Sequence, residues 1–299
     1  MSQAPEMNII FADADGSDNL STNGILIAAR NCDLGGDENF AYNTGKRGTR
    51  QPYSCGARKT REIVGGGFDC FPTEVHLDWL IQRMMGDNKS VFPASPATPG
   101  ETPVTFAGVI DKGYDNFKYT KLCIADLSLT LPEGDLVSAR VNMVGSKETS
   151  GATWPTLGTP PTLDCGDCCA VADSVLTVAG TDYSFKNAQL SISNNIPDII
   201  ENSMWRLRFE YGELDVNLNV TLAYRSDTAA MYRRGVAGDA VSLKFNTGSK
   251  LYTFTMANVK APGQKIQVPD SGEITMNFAG KVFRTSGSNA LSIAKENYP

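Results

Sequence analysis

The strongest constraint on this chain is a change of period near its middle. From Leu122 to Leu131, the apolar positions Cys123, Ala125, Leu127, Leu129 and Leu131 alternate with Asp126, Ser128 and Thr130. Pro132-Glu133-Gly134-Asp135 is a turn sequence, and Val137, Ala139, Val141 and Met143 then alternate with Ser138, Arg140 and Asn142. Successive side chains of a strand point to opposite faces, so a period of two that survives a turn predicts a long hairpin with one apolar face and one wet face.

More strands are expected downstream, at Val175–Ala179, Gln189–Ser193, Met204–Tyr211, Leu214–Tyr224, Val241–Asn246, Leu251–Met256, Lys265–Val268 and Ile274–Phe283. One helix precedes the hairpin. Thr73 can cap it, Glu74 sits in its first turn, and Leu77, Leu80, Ile81 and Met84 recur at helical spacing, with Val75 and Trp79 four apart and Gly86 as the stop. Many short strands with one helix and long loops define an all-β fold, a β-sandwich or barrel. Residues 1–65, rich in Gly, Asn, Asp and Arg, read as an extended arm with loops, and residues 66–299 as the β domain. Two irregular stretches interrupt it: the Pro-rich Val91–Pro103, and residues 147–173, a loop excursion or small insertion.

The formal net charge is −6, with 27 Lys and Arg against 33 Asp and Glu, so the basic footprint of a nucleic-acid-gripping protein is missing. Residues 1–30 show no charged segment followed by an apolar stretch, so no secretory signal is expected, and no apolar run approaches a membrane span. Seven irregularly spaced cysteines then read as reduced thiols.

Motifs for catalysis or metal binding fail one by one. The single histidine, His76, lies within the helix, where packing or surface roles are commoner than catalysis, and relays of the Ser-His-Asp or Cys-His kind need an imidazole. Cys165-x-x-Cys168-Cys169 is at most half of a zinc site, with no second pair to complete four ligands. The Asp-rich run from Asp13 to Asn19 puts Asp18 and Gly24 where a calcium loop needs Gly and Glu. Gly65-Gly66-Gly67 lacks the Lys-Ser/Thr of a phosphate cradle and suits a hinge or a tight backbone crossing. No catalytic residue, metal ligand or cofactor is expected, and the chain reads as non-enzymatic.

Periodicity alone favours a half-exposed sheet in a monomeric sandwich; the order of features points elsewhere. The helix Glu74-Val-His-Leu-Asp-Trp-Leu-Ile-Gln-Arg-Met-Met-Gly86 is followed by a Pro-rich loop. Then come Tyr119-Thr-Lys-Leu-Cys-Ile-Ala-Asp-Leu-Ser-Leu-Thr-Leu131 and, after the Gly134 turn, Val137-Ser-Ala-Arg-Val-Asn-Met-Val-Gly145. Over residues 70–148 this succession resembles the tail tube proteins of bacteriophages.

That resemblance implies a structural subunit of the virion, assembled in the host cytoplasm. It implies hexameric rings stacked into a hollow tube, with long strands of each copy joined into a continuous inner β-barrel. DNA and the tape measure protein would occupy the lumen, and tail terminator and tail tip proteins would be further partners. The wet face of the hairpin (Asp126, Ser128, Thr130, Ser138, Arg140 and Asn142) would then line the channel, where Arg140 needs a counter-ion that Asp126 across the hairpin could supply. Other all-β classes to weigh are a capsid-decoration or tail-terminator subunit, and a monomeric sandwich binding carbohydrate or a host surface. The last would show clustered aromatics, whereas Trp79, Trp154 and Trp205 are far apart in sequence.

Overall fold

The computed structural model describes residues 7–12, 24–42, 57–86, 96–154, 168–169, 171–199, 203–226, 228–229, 237–247, 250–261, 266–267 and 273–297. Among them are eighteen strands and one helix of eleven residues. The strands are β1 (Met7–Ala12), β2 (Gly24–Ala29), β3 (Asn31–Cys32), β4 (Gly35–Tyr42), β5 (Ala57–Cys70), β6 (Phe106–Asp111), β7 (Asn116–Pro132), β8 (Ser138–Gly145) and β9 (Lys147–Thr149). They continue as β10 (Ala172–Val178), β11 (Thr181–Tyr183), β12 (Phe185–Ser193), β13 (Asp215–Ala223), β14 (Ala237–Asn246), β15 (Lys250–Lys260), β16 (Ile266–Gln267), β17 (Thr275–Phe283) and β18 (Leu291–Asn297); the helix is α1 (Glu74–Met84).

Every recorded pairing is antiparallel, and the main sheet runs β4–β5–β8–β7–β12–β13–β17 before turning onto β15, β14, β10 and β11. The turn is made along one edge of β15: residues 258–260 pair with β17 and residues 250–256 pair with β18. Side chains from both halves, such as Leu129 and Leu218 on one and Leu243 and Phe254 on the other, belong to one core cluster. The sheet is folded over on itself and, within the single chain, does not close into a barrel.

A smaller sheet, β2–β1–β6–β7–β9, shares β7, whose residues 116–122 serve it while residues 123–132 serve the main sheet. The handover occurs at a register shift where Lys121 takes φ 52°. One extra residue there bends the strand from one sheet to the other.

The helix forms as its caps require. Thr73 Oγ1 accepts the His76 N–H and His76 Nδ1 accepts the Thr73 N–H, a reciprocal capping box in which histidine takes the usual glutamate position. Leu77, Leu80, Ile81 and Met84 are all buried, and Trp79 stacks on Phe11 at 5.2 Å and meets Phe106 edge-on at 4.9 Å. Val75, the expected partner of Trp79, is exposed instead. On the other flank, Asp78 accepts the Tyr252 hydroxyl at 2.7 Å, while Lys295 Nζ reaches both Asp78 and Glu74, tying α1 to β15 and β18.

Two expectations are corrected. The described residues before 65 form strands rather than an arm: Ile9, Phe11 and Ile27 of β1 and β2 are fully buried, and β5 runs through residue 65 without a break. Met204–Tyr211 forms no ladder. Its polarity is inverted, with Arg206 buried and Leu207 exposed, and it meets β5 at Glu62, through one backbone bond from the Glu62 N–H to the Met204 carbonyl and one side-chain bond from Trp205 Nε1 to the Glu62 carboxylate. Most of the 147–173 stretch, with Cys165, lies outside the described residues, as do the Asp13–Asn19 run and much of the Pro-rich loop. Where the chain returns, Cys168 and Cys169 dock beside Thr73 and Pro72, and Val137 N–H bonds the Cys169 carbonyl. Cys32, Cys70, Cys123 and Cys169 are free thiols.

Candidate functional site: the wet face of the main sheet

The predicted hairpin exists with the predicted alternation. β7 and β8 pair with Asp126 opposite Asn142, Ser128 opposite Arg140 and Thr130 opposite Ser138, so all six predicted residues share one face. All six are half-buried, whereas Leu127, Leu129, Leu131, Ala139 and Val141 on the other face are buried.

The hairpin is not at an edge. β5 occupies the outer side of β8 and β12 the outer side of β7. The long strands that the resemblance implies are joined between copies are therefore not those of this hairpin, whose backbone hydrogen bonds are already made within one chain.

Registers carry the wet face well beyond the hairpin. One row reads Asp69, Arg140, Ser128, Ser191, Asn217 and Lys281 across β5, β8, β7, β12, β13 and β17. The next reads Ser138, Thr130, Gln189, Asn219 and Ala279. On the other side lie Gly67, Asn142, Asp126, Ser193 and Asp215. Between them runs the apolar row Cys70, Ala139, Leu129, Leu190, Leu218 and Gly280, pointing the other way. Reading the hairpin in isolation missed β12 and β13 as parts of this face, although Leu214–Tyr224 carries the same apolar–polar alternation.

The face is composed chiefly of neutral hydrogen-bonding groups that bond one another across strands. Ser128 Oγ and Ser191 Oγ are 3.3 Å apart, Gln189 Nε2 donates to Ser128 Oγ at 3.2 Å, and Thr221 Oγ1 donates to Asn277 Oδ1 at 3.1 Å. A shallow depression of 510 Å³ opens over the turn end of the hairpin, with Arg30, Asn31, Thr130 and Gln189 on its walls.

The cations in these rows meet carboxylates. Lys281 Nζ lies 2.9 Å from Asp215 Oδ1. Arg140 does not use Asp126, which instead accepts from Asn142 Nδ2 at 3.4 Å. Its guanidinium turns toward β5, with one terminal nitrogen 2.8 Å from Asp33 Oδ2, the other 3.3 Å from Asp69 Oδ2, and Nε donating to Asn142 Oδ1 at 3.2 Å. The Gly67 N–H and then Arg140 hold the Asp33 carboxyl below the ordinary carboxylate range. Partial burial of Arg140 works against its charge, but Asp33 and Asp69 outweigh that and raise its pKa.

Candidate chemistry elsewhere is absorbed by structure. His76 serves in the helix cap. Burial pushes the Cys70 and Cys169 thiols up to about 12, which leaves them un-ionised and poor nucleophiles at neutral pH. Among the described residues, no three His, Cys, Asp or Glu side chains are grouped so as to hold a metal ion, and no helix is long and apolar enough to cross a membrane.

Fold and face together define a class: an all-β scaffold protein that presents a broad, neutral, hydrogen-bonded sheet surface. Comparison with known families narrows this to one. The family model described as phage tail tube protein matches residues 11–280, and the chain belongs to that family. Its role is structural, and its place is the tail of the virion. A search of curated proteins returns no match.

Proposed function

We propose that this chain forms hexameric rings that stack into a hollow tube, with the wet face of the main sheet lining the bore through which DNA leaves. One observation carries this reading: a largely neutral polar face that extends over six strands, with the cations of its rows, Arg140 and Lys281, tied to carboxylates. Duplex DNA exposes about one negative charge per 1.7 Å of axis, and each phosphate neutralised by a free cation adds affinity. A conduit must pass that polymer without holding it, and Ser, Thr, Asn and Gln side chains already bonded to each other offer it little.

The occupied hairpin changes how such a ring would close. Each copy would contribute a panel of several strands, with closure at other edges such as β4, whose recorded pairing is with β5 alone. The tape measure protein would fill the bore before ejection, tail terminator and tip proteins would meet the ends of the tube, and assembly would take place in the host cytoplasm. The chain does this work without catalysis.

Replacing Asp126, Ser128 and Thr130 with Lys tests the assignment. Negative-stain images of the variant should show hollow tubes of normal appearance, and phage carrying it should eject DNA more slowly. Normal tubes with normal ejection kinetics would remove the face from the bore. Single closed rings or dispersed monomers from the unaltered chain would instead favour a terminator-like or binding role.

A further inference from the structure

The Gly65-Gly66-Gly67 run has no phosphate to cradle, yet it lies in the middle of β5, where the Asp33–Leu34 turn crosses the strand. Gly66 has φ +122°, and a Cβ there would come within 2.5 Å of the Asp33 carbonyl oxygen. At Gly67 the space is closed from the other side, with the Val141 carbonyl oxygen 2.2 Å from an added Cβ. Only a glycine at position 66 admits the turn this closely, while Gly67 is held against β8. The Gly67 N–H then donates to Asp33 Oδ1 at 2.5 Å, leaving Oδ2 facing Arg140.

We propose that Asp33 and Asp69 are built-in counter-ions that occupy Arg140, so that a polyanion moving over the wet face finds its guanidinium already taken, and that Gly66 is there to admit the turn that delivers Asp33. The inference rests on the wet face lining the bore. Guanidinium binds carboxylate and phosphate oxygens through the same fork of donors, so the two compete for it. A carboxylate fixed in the same chain competes at a high effective concentration. Each of the three guanidinium nitrogens has an acceptor here, Asp33, Asp69 or Asn142, and the network stays charged because Asp33 is ionised well below neutral pH.

The test uses the full chain before assembly, with a short fluorescent DNA duplex as probe at low salt. The unaltered chain should retain little DNA. D33N/D69N should bind it, and each new phosphate contact should weaken about 3.5-fold between about 50 and 200 mM salt. D33N/D69N/R140Q should return to the unaltered level. The inference is overturned if D33N/D69N, with unchanged circular dichroism, binds no better than the unaltered chain, or if removing Arg140 leaves the gained binding in place. Should loss of Asp33 prevent folding, D69N alone decides in the same direction, because the Asp69 side chain is 42% exposed. Binding by free chains does not depend on where the face lies in a tube. A gain there together with normal ejection by the lysine variant would sink the bore assignment and leave the counter-ions standing.

Discussion

Glu62 is the point at which removing one side chain should cost most for its size. It sits on β5, is 5% exposed, and serves three partners. Lys59 Nζ donates to it at 2.7 Å, the Glu148 N–H at 2.9 Å and Trp205 Nε1 at 3.2 Å. Burial pushes its pKa up, but these three donors outweigh burial and bring it below the ordinary value of 4.5. In Glu62→Ala, Lys59 keeps Glu38, whereas the Glu148 and Trp205 N–H groups lose their acceptor in a half-buried site. At roughly 1–1.5 kcal/mol for each stranded donor plus a smaller loss at Lys59, the total is about 3 kcal/mol. At about 2 °C per kcal/mol for a chain of this size, that is a fall of about 6 °C in Tm, read by thermal unfolding at pH 7. Glu62→Gln keeps an acceptor oxygen and should lose about half as much. The pH dependence supplies an independent check. A carboxylate held low in the folded state contributes stability that is complete above its unfolded pKa and is lost as pH falls through the folded value. The gap between wild type and Glu62→Gln should therefore be full at pH 7 and shrink below pH 4.5. Melting of Glu62→Ala within about 1 °C of wild type, or a gap that widens in acid, would refute the reasoning.

Two further substitutions have clear expected outcomes. Gly67→Ala places a methyl group 2.2 Å from the Val141 carbonyl oxygen, so β5 and β8 must separate; the variant should melt several degrees lower or be recovered only as aggregate, measured by soluble yield and circular dichroism. Lys295→Met leaves Asp78 and Glu74 without their cation in a site where the lysine is 14% exposed, and should cost about 2 kcal/mol at neutral pH in denaturant titration. Burial lowers the pKa of Lys295, but Asp78 and Glu74 outweigh it and raise the value above the ordinary 10.5, so the contribution is present below pH 10.5 and should vanish as pH rises beyond it.

What was legible in the sequence depended on whether a strand has one wet face. β7, β8 and β13 do, and their alternation shows. β1 does not: Ile9 and Phe11 enter the main core while Ile10 packs with Ala107 and Val109 on the opposite side, so its run of apolar residues carries no period. β4, Gly-Gly-Asp-Glu-Asn-Phe-Ala-Tyr, pairs among the described residues with β5 alone and has no core row to enforce alternation. The helix was readable because capping is local, even with histidine in the box. The Arg140 contacts were not, because Asp33 is 107 residues away and nothing in either segment advertises the other. Asp126 was the carboxylate on the same face of the hairpin, yet the register sets it opposite Asn142, one diagonal step from Arg140.

The same alternation explains why the wet face is hard to lose. Side chains repeat with a period of two, so slipping β7 by one residue against β8 and β12 would turn Leu127, Leu129 and Leu131 outward and bring Ser128 and Thr130 into the core. All three leucines are fully buried, and exposing them costs about 2 kcal/mol each, or roughly 6 kcal/mol, before any hydroxyl is buried without a partner. That is comparable to the entire stability of an ordinary domain. β12 and β13 repeat the arrangement with Leu190, Ile192, Leu218 and Val220, so every ladder across the face is locked by the row behind it. Selection on a smooth polar surface and selection on a packed core therefore act on one register. Single changes on the wet side, such as lysine at Ser128, should alter what the face attracts while leaving the fold in place.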